Sequence, residues 1–235
     1  MEFKSLPKIE LHCHLDGSVR IETIIDIARK ENIQLPTYDT NELKKLVTVT
    51  DGCSCLVEYI SKFKIPIMVM QSKESLRRIA FELYEDAARE NVKYLEVRFA
   101  PLLHTEKGLA TNEIIESVVQ GMRDAETLYD IKGNVILSFM KNMPEESIFP
   151  VIEAAAKYIG KGVAAVDLAG GEDEGFSRKF VNAIKKAEEL GYRITIHAGE
   201  TGIGKNVLEA VNLLGAERIG HGIFITNSPE AYKLV

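Results

Sequence analysis

The sequence predicts a parallel α/β fold, and three features of its 235 residues lead there. Short β-branched or apolar runs alternate with longer stretches whose apolar residues recur at three-and-four spacing. Because whole helices separate the runs, each strand returns to the same end of a sheet through a crossover and pairs in parallel. Four of the five histidines, His12, His14, His197 and His221, fall at the C-terminal ends of those runs, where α/β folds build their sites. The length suits one large core, so a single domain over 1–235 is expected.

The expected strands are 9–15, 94–100, 135–140, 163–168, 193–198 and 218–222. Between them, 72–90 repeats Leu76, Ile79, Ala80, Leu83 and Ala87 on one helical face. Segments 111–128, 145–159, 177–190 and 205–214 read as helices in the same way, the third stopping at Gly191. The first strand is followed by an insertion, 19–71, with helical pieces at 21–31, 41–46 and 55–63 around the turn Leu35-Pro36-Thr37-Tyr38-Asp39. Long segments at strand ends commonly act as lids. Asn227-Ser228-Pro229 opens a last helix. A closed eight-stranded barrel needs two more βα units than these, so the pattern fits either an open sheet or an incomplete barrel.

Composition excludes several function classes. Lys and Arg number 29 against 35 for Asp and Glu, a formal charge of -6. With no basic stripe to neutralise a phosphate backbone, polymeric nucleic acid is a poor partner. The N-terminus lacks the apolar run of a signal peptide and no stretch is long enough to span a bilayer, so the expected location is the cytoplasm, without membrane attachment. Cys13, Cys53 and Cys55 are an odd number without redox or zinc spacing and are expected as reduced thiols.

The chemistry lies at the strand ends. In Glu10-Leu11-His12-Cys13-His14-Leu15, His12 and His14 stand two residues apart and face one side of a strand. They are either ligands for a borderline metal such as zinc or a hydrogen-bonded pair. Ile194-Thr195-Ile196-His197-Ala198-Gly199-Glu200 delivers another histidine with a carboxyl three residues on. Shielded from water, Glu200 would keep its proton and serve as general acid; otherwise it is a helix N-terminal carboxylate. His221, between Gly220 and Gly222, is a site residue or a capped loop histidine. Asp167-Leu168-Ala169-Gly170-Gly171-Glu172 fits neither the dinucleotide nor the P-loop pattern and reads as a turn exposing backbone N–H groups. Asp16, in Asp16-Gly17-Ser18, brings a carboxylate to the same rim or caps the following helix.

Five stretches in order, Leu6 to Ser18, Tyr94 to Pro101, Asp167-Leu168-Ala169-Gly170, His197-Ala198-Gly199-Glu200 and Gly220-His221-Gly222, together resemble the metal-dependent adenosine deaminases of the amidohydrolase type. The resemblance implies a TIM-type (β/α)8 barrel, incomplete here at about six βα units with the C-terminal units missing. It implies one zinc ion per chain, ligated by His12, His14 and His197, that lowers the pKa of a water for attack on C6 of adenosine, giving inosine and ammonia in purine salvage. Glu200 then protonates N1, as a Glu does in zinc deaminases of another fold, and His221 orients the nucleophile. Substrate contacts fall to His14, Asp16 and Gly170, with Asp16 on the ribose 5'-hydroxyl and the Gly170 N–H on purine N3. Leu56, Tyr59 and Phe63 resemble the family's apolar lid or form an ordinary amphipathic face.

The family's Asp-Asp pair after a later strand has no counterpart, so impaired activity of this chain alone and self-association through open barrel edges are expected. The implied partner is a small purine nucleoside, adenosine and its 2'-deoxy form; Asp at position 16 favours a nucleoside over the free base. Alternatives are deamination of free adenine or of a modified adenosine, or a non-catalytic barrel fragment.

Overall fold

The computed structural model describes residues 3–49 and 52–235, so the expected 19–71 insertion includes two positions, 50 and 51, outside the described residues. The chain divides into two compact units, Met1–Val135 and Ile136–Val235.

The first unit contains β1 (Lys8–His14), α1 (Ile21–Lys30), α2 (Thr40–Val47), α3 (Leu56–Ser61), α4 (Lys64–Val69), α5 (Lys73–Arg89), β2 (Val92–Phe99), α6 (Thr111–Leu128) and the start of β3 (Lys132–Met140). β1 pairs in parallel with β2, Ile9 opposite Tyr94 and His14 opposite Arg98, and β3 follows β2 in the strand order. Ser72 caps α5, its hydroxyl accepting from the Ser75 N–H while Ser75 Oγ accepts from the Ser72 N–H. The buried face of α5 holds Leu76, Ile79, Ala80 and Leu83, as the spacing predicts. α5 and α6 approach so closely that a Cβ on Gly121 would stand 2.1 Å from the Arg77 carbonyl oxygen.

Two elements here differ from expectation. β3 starts at Lys132 rather than 135, because Glu126 accepts the Gly133 N–H and fixes a polar start that carries no strand pattern. The segment after 55–63 is a further helix, α4, whose Pro66 sits in the first turn, where its missing N–H has no intrahelical partner to lose.

The second unit contains the remainder of β3, then α7 (Phe149–Ala155), β4 (Val163–Ala169), α8 (Val181–Leu190), β5 (Arg193–Ala198), α9 (Lys205–Leu214), β6 (Arg218–His221) and α10 (Pro229–Leu234). Its strand order is β3-β4-β5-β6, with β4, β5 and β6 parallel. β4 and β5 are buried along nearly their whole length, which is why they read as apolar runs without alternation. The helix expected over 145–159 is broken into a 3-10 turn at Glu145–Ser147, α7, and a second turn at Ala156–Tyr158. Pro150 explains the restart, since it donates no N–H and favours a first helical turn. The expected 177–190 helix likewise begins as a 3-10 turn, Phe176–Lys179.

Strands alternating with helices in this order make an α/β fold of the TIM-barrel type, with six strands among the described residues. Cys13, Cys53 and Cys55 are free thiols. No helix among the described residues is long and apolar enough to cross a membrane.

Two stability measurements follow from the first unit. Gly121→Ala should cost about 1–3 kcal/mol in denaturant unfolding, because neither helix backbone can yield to the added methyl; unchanged stability would mean the helices separate readily. His104, fully buried beside the Phe99 ring, has its pKa pushed down to about 4 by burial, with the Met70 backbone opposing the shift in part. Between its unfolded value near 6.5 and this folded value, the unfolded chain takes a proton that the native chain refuses, so stability falls as pH drops. His104→Leu should lose about 3 kcal/mol less than the parent protein between pH 7 and pH 4, read from melting or denaturant curves at each pH.

Candidate active site

In the first unit, β1 carries His12 and His14 to its C-terminal end, their ring centroids 5.4 Å apart. Two-residue spacing on an extended chain puts both rings on one face. Phe63 meets His14 edge-on at 6.0 Å and Tyr59 at 5.3 Å. The chain then turns at Asp16, which is only 6% exposed and has an Oδ1 with no hydrogen-bond partner. Burial raises the Asp16 pKa to about 6, offset in part by its own and the Gly17 backbone N–H. Asp16 does not cap α1, whose cap position is Arg20. Instead it lines a cavity of about 190 Å³ together with Val47, Tyr59, Lys62, Phe63 and Pro66. A buried acceptor facing such a space suits a hydroxyl donor. Tyr59 and Phe63 line this cavity, while Leu56, half-buried on the helix that carries Tyr59, does not.

In the second unit, Asp167 near the end of β4 is fully buried. It accepts from Ser138 Oγ at 2.9 Å and from the His197 N–H at 3.2 Å, and its Oδ1 lies 2.9 Å from His197 Nδ1. An aspartate held by a serine hydroxyl and a backbone N–H favours the tautomer with the imidazole proton on Nδ1, which gives Nε2 the lone pair. β5 pairs with β6 so that His197 lies opposite Gly220 and Ala198 opposite His221. This register sets the His197 and His221 rings 5.1 Å apart. His221 has φ of +70°, a left-handed backbone unusual for a residue with a side chain.

After β5 the chain turns at Gly199, where φ is +69° and a Cβ would meet Val207 Cγ2 at 2.7 Å. The turn presents Glu200, whose Oε1 lies 3.4 Å from His221 Nε2. Burial raises the Glu200 pKa, against the fields of His197 and Lys141 that lower it. Glu200 is not a helix N-terminal carboxylate, since α9 begins only at Lys205. Gly170, at the turn after β4, also has positive φ, +90°.

The first unit therefore brings His12, His14 and Asp16 to one turn, and the second gathers His197, Glu200 and His221 around Asp167. Three contributors escaped the sequence reading: the buttress role of Asp167, and Glu172 and Asn206 behind the Glu200 turn. The acid-rich glycine turn after β4 was a signal, but which loop its acid grips depends on how β4 packs beside β5.

Parallel strands alternating with helices, with imidazoles and buried carboxylates gathered at the strand ends, belong to the (β/α)-barrel class, whose sites are built at those ends. The chain belongs to the adenosine deaminase family, whose model matches residues 7–234. It is 64% identical over all 235 residues to an adenosine deaminase of Clostridium botulinum, covering 71% of that protein. Among solved structures, it resembles an adenine deaminase from Arthrobacter aurescens with a TM-score of 0.87 and 27% identity, covering 97% of this chain and 68% of that one. It also resembles an amidohydrolase from Burkhoderia ambifaria with bound Zn, with a TM-score of 0.85 and 28% identity over 97% of this chain and 62% of that one. The protein is thus a hydrolytic deaminase.

Proposed function

We propose that the chain deaminates adenosine, and 2'-deoxyadenosine with it, to inosine and ammonia, with one zinc ion held by His12, His14 and His197. The observation that carries the metal reading is the buried Asp167 carboxylate on His197 Nδ1, the outer partner that orients a metal-ligating imidazole. Neutral imidazoles are a donor set suited to zinc. When bound, the ion lowers the pKa of a water and so supplies the nucleophile near neutral pH.

The remaining work falls to the side chains. Glu200, its pKa raised by burial, keeps a proton that it delivers to purine N1, which removes ring aromaticity and makes C6 electrophilic. His221, beside Glu200 Oε1, orients the attacking water and stabilises charge as C6 becomes tetrahedral. One proton of the attacking water passes through His221 to the amino group, which leaves as ammonia, and the other returns to Glu200 as the C6 hydroxyl becomes the carbonyl of the product. Asp16 accepts the ribose 5'-hydroxyl, His14 and the Gly170 N–H contact the base, and Tyr59 and Phe63 exclude water above it. An acceptor for a sugar hydroxyl favours nucleoside over free base, and the 64% identity to an adenosine deaminase supports the same choice. Such a salvage role suits the cytoplasm.

Purified chain should bind zinc by elemental analysis and convert adenosine faster than adenine. Glu200→Gln should retain the metal yet lose turnover about 10²- to 10⁴-fold. Asp167→Asn should weaken zinc about 10- to 100-fold in chelator competition, a measurement independent of turnover. Full turnover in Glu200→Gln, or unchanged zinc affinity in Asp167→Asn, overturns the assignment; faster turnover of adenine moves the substrate to the free base.

A further inference from the structure

The turn that carries Glu200 is held from behind by a second acid. Glu172, only 8% exposed, follows the glycine turn after β4. Its Oε1 accepts the Gly199 N–H at 2.7 Å, and its Oε2 accepts the Glu200 and Thr201 N–H groups at 2.7 and 2.9 Å. The Thr201 hydroxyl adds a contact to Oε2 at 3.1 Å. Asn206, fully buried, donates to Glu172 Oε1 and to the Asp173 carbonyl at 3.0 Å each, and accepts the Gly175 N–H at 2.9 Å. Burial alone would push the Glu172 pKa up, yet Asn206, the Gly199 and Glu200 N–H groups and the Lys141 charge hold it below the usual carboxylate range. Glu172 therefore stays ionised and grips three consecutive backbone donors.

We propose that Glu172 is the positioning residue for the proton donor: by docking its carboxylate into the 199–201 turn it sets where Glu200 stands against His221. The inference rests on the reading of Glu200 as general acid. No other single carboxylate in the unit receives three successive backbone N–H groups among the described hydrogen bonds. The turn needs such a hold because Gly199 adopts a left-handed conformation with no side chain of its own to anchor it. Charge-assisted hydrogen bonds to ionised acceptors are the strong ones, and three on one carboxylate fix a turn in both position and tilt. Glu200 also feels the fields of His197, Lys141, Glu172 and Asp167 and stands beside His221, so Glu172 bears on it electrostatically as well.

The test compares Glu172→Gln and Glu172→Asp with the parent chain, all loaded with zinc and checked for folding by melting. Gln keeps the length but sets an NH₂ against backbone donors; Asp keeps the charge but is one methylene short. Glu172→Gln should lower kcat about 10- to 100-fold with the adenosine KM within about twofold, and Glu172→Asp should recover part of that loss. The basic limb of the kcat profile should move to lower pH in Glu172→Gln, because a negative neighbour that raises the acid's pKa has been removed. Amide hydrogen exchange at 199–201 should rise in Glu172→Gln, and the carboxyl carbon resonance of Glu200 should titrate at lower pH; neither readout needs turnover. Unchanged exchange together with an unchanged Glu200 titration overturns the positioning role whatever the turnover. If Glu200→Gln abolishes turnover while Glu172→Gln leaves kcat and its pH profile intact, the positioning role fails alone; if Glu200→Gln turns over normally, the acid assignment fails first.

Discussion

The buried contact between Asp167 and His197 is the constraint on which the second unit's site depends. A carboxylate with no solvent exposure is tolerated only where paired and hydrogen-bonded, and stripping a partner from such a pair typically costs about 3–5 kcal/mol. Asp167 meets that condition by drawing on β3 through Ser138 and on β5 through both the backbone and the ring of His197. One side chain thereby ties three strands at their C-terminal ends and fixes one imidazole in one orientation. The β5 to β6 register then places His221 beside that imidazole, so the geometry of the next strand end follows from the first.

The two glutamates at the 199–201 turn, Glu172 and Glu200, have opposite environments. Glu172 is surrounded by donors that lower its pKa, whereas Glu200, beside His221, has burial as its largest influence, which raises its pKa. Twenty-eight positions separate them, yet a single backbone turn joins the two roles, because the N–H of Glu200 itself is one of the groups that Glu172 holds. Any displacement of Glu172 is therefore passed directly to the backbone of Glu200.

How much of this was legible in the sequence varied with range. β5, α6 and α9 were readable to the residue, since each is a clean apolar pattern, and α9 ends at Gly215. The start of β3 was not, because Lys132-Gly133-Asn134 is polar and its strand conformation depends on a Glu126 side chain brought in by α6. Pro66 hid α4 and Pro150 split the helix around α7, the same residue type acting once as a tolerated first-turn member and once as a boundary. Histidines stood out because there are so few of them and because they cluster at strand ends. Asp167 and Glu172 did not: with 35 Asp and Glu, rarity offers no guide, and only their spatial neighbours separate these two from surface acids.

Rigidity at the strand ends has a cost that the strands themselves offset. Gly170, Gly199, His221 and Gly222 all carry positive φ within the turns of the site, and His221 adopts it without the freedom of glycine. Such a backbone persists only where its surroundings over-determine it. Here the over-determination has two sources: apolar strands such as β4 and β5, buried on nearly every residue, supply the stability, and the buried carboxylates supply direction. A strand core alone would hold the turns near the right place while leaving their side chains free to rotate; carboxylate hydrogen bonds alone could not repay the desolvation of Asp167 and Glu172. The arrangement requires both, and so Asp167 and His197 lie among the last buried residues of β4 and β5, while Glu172 and Glu200 follow in the turns just beyond.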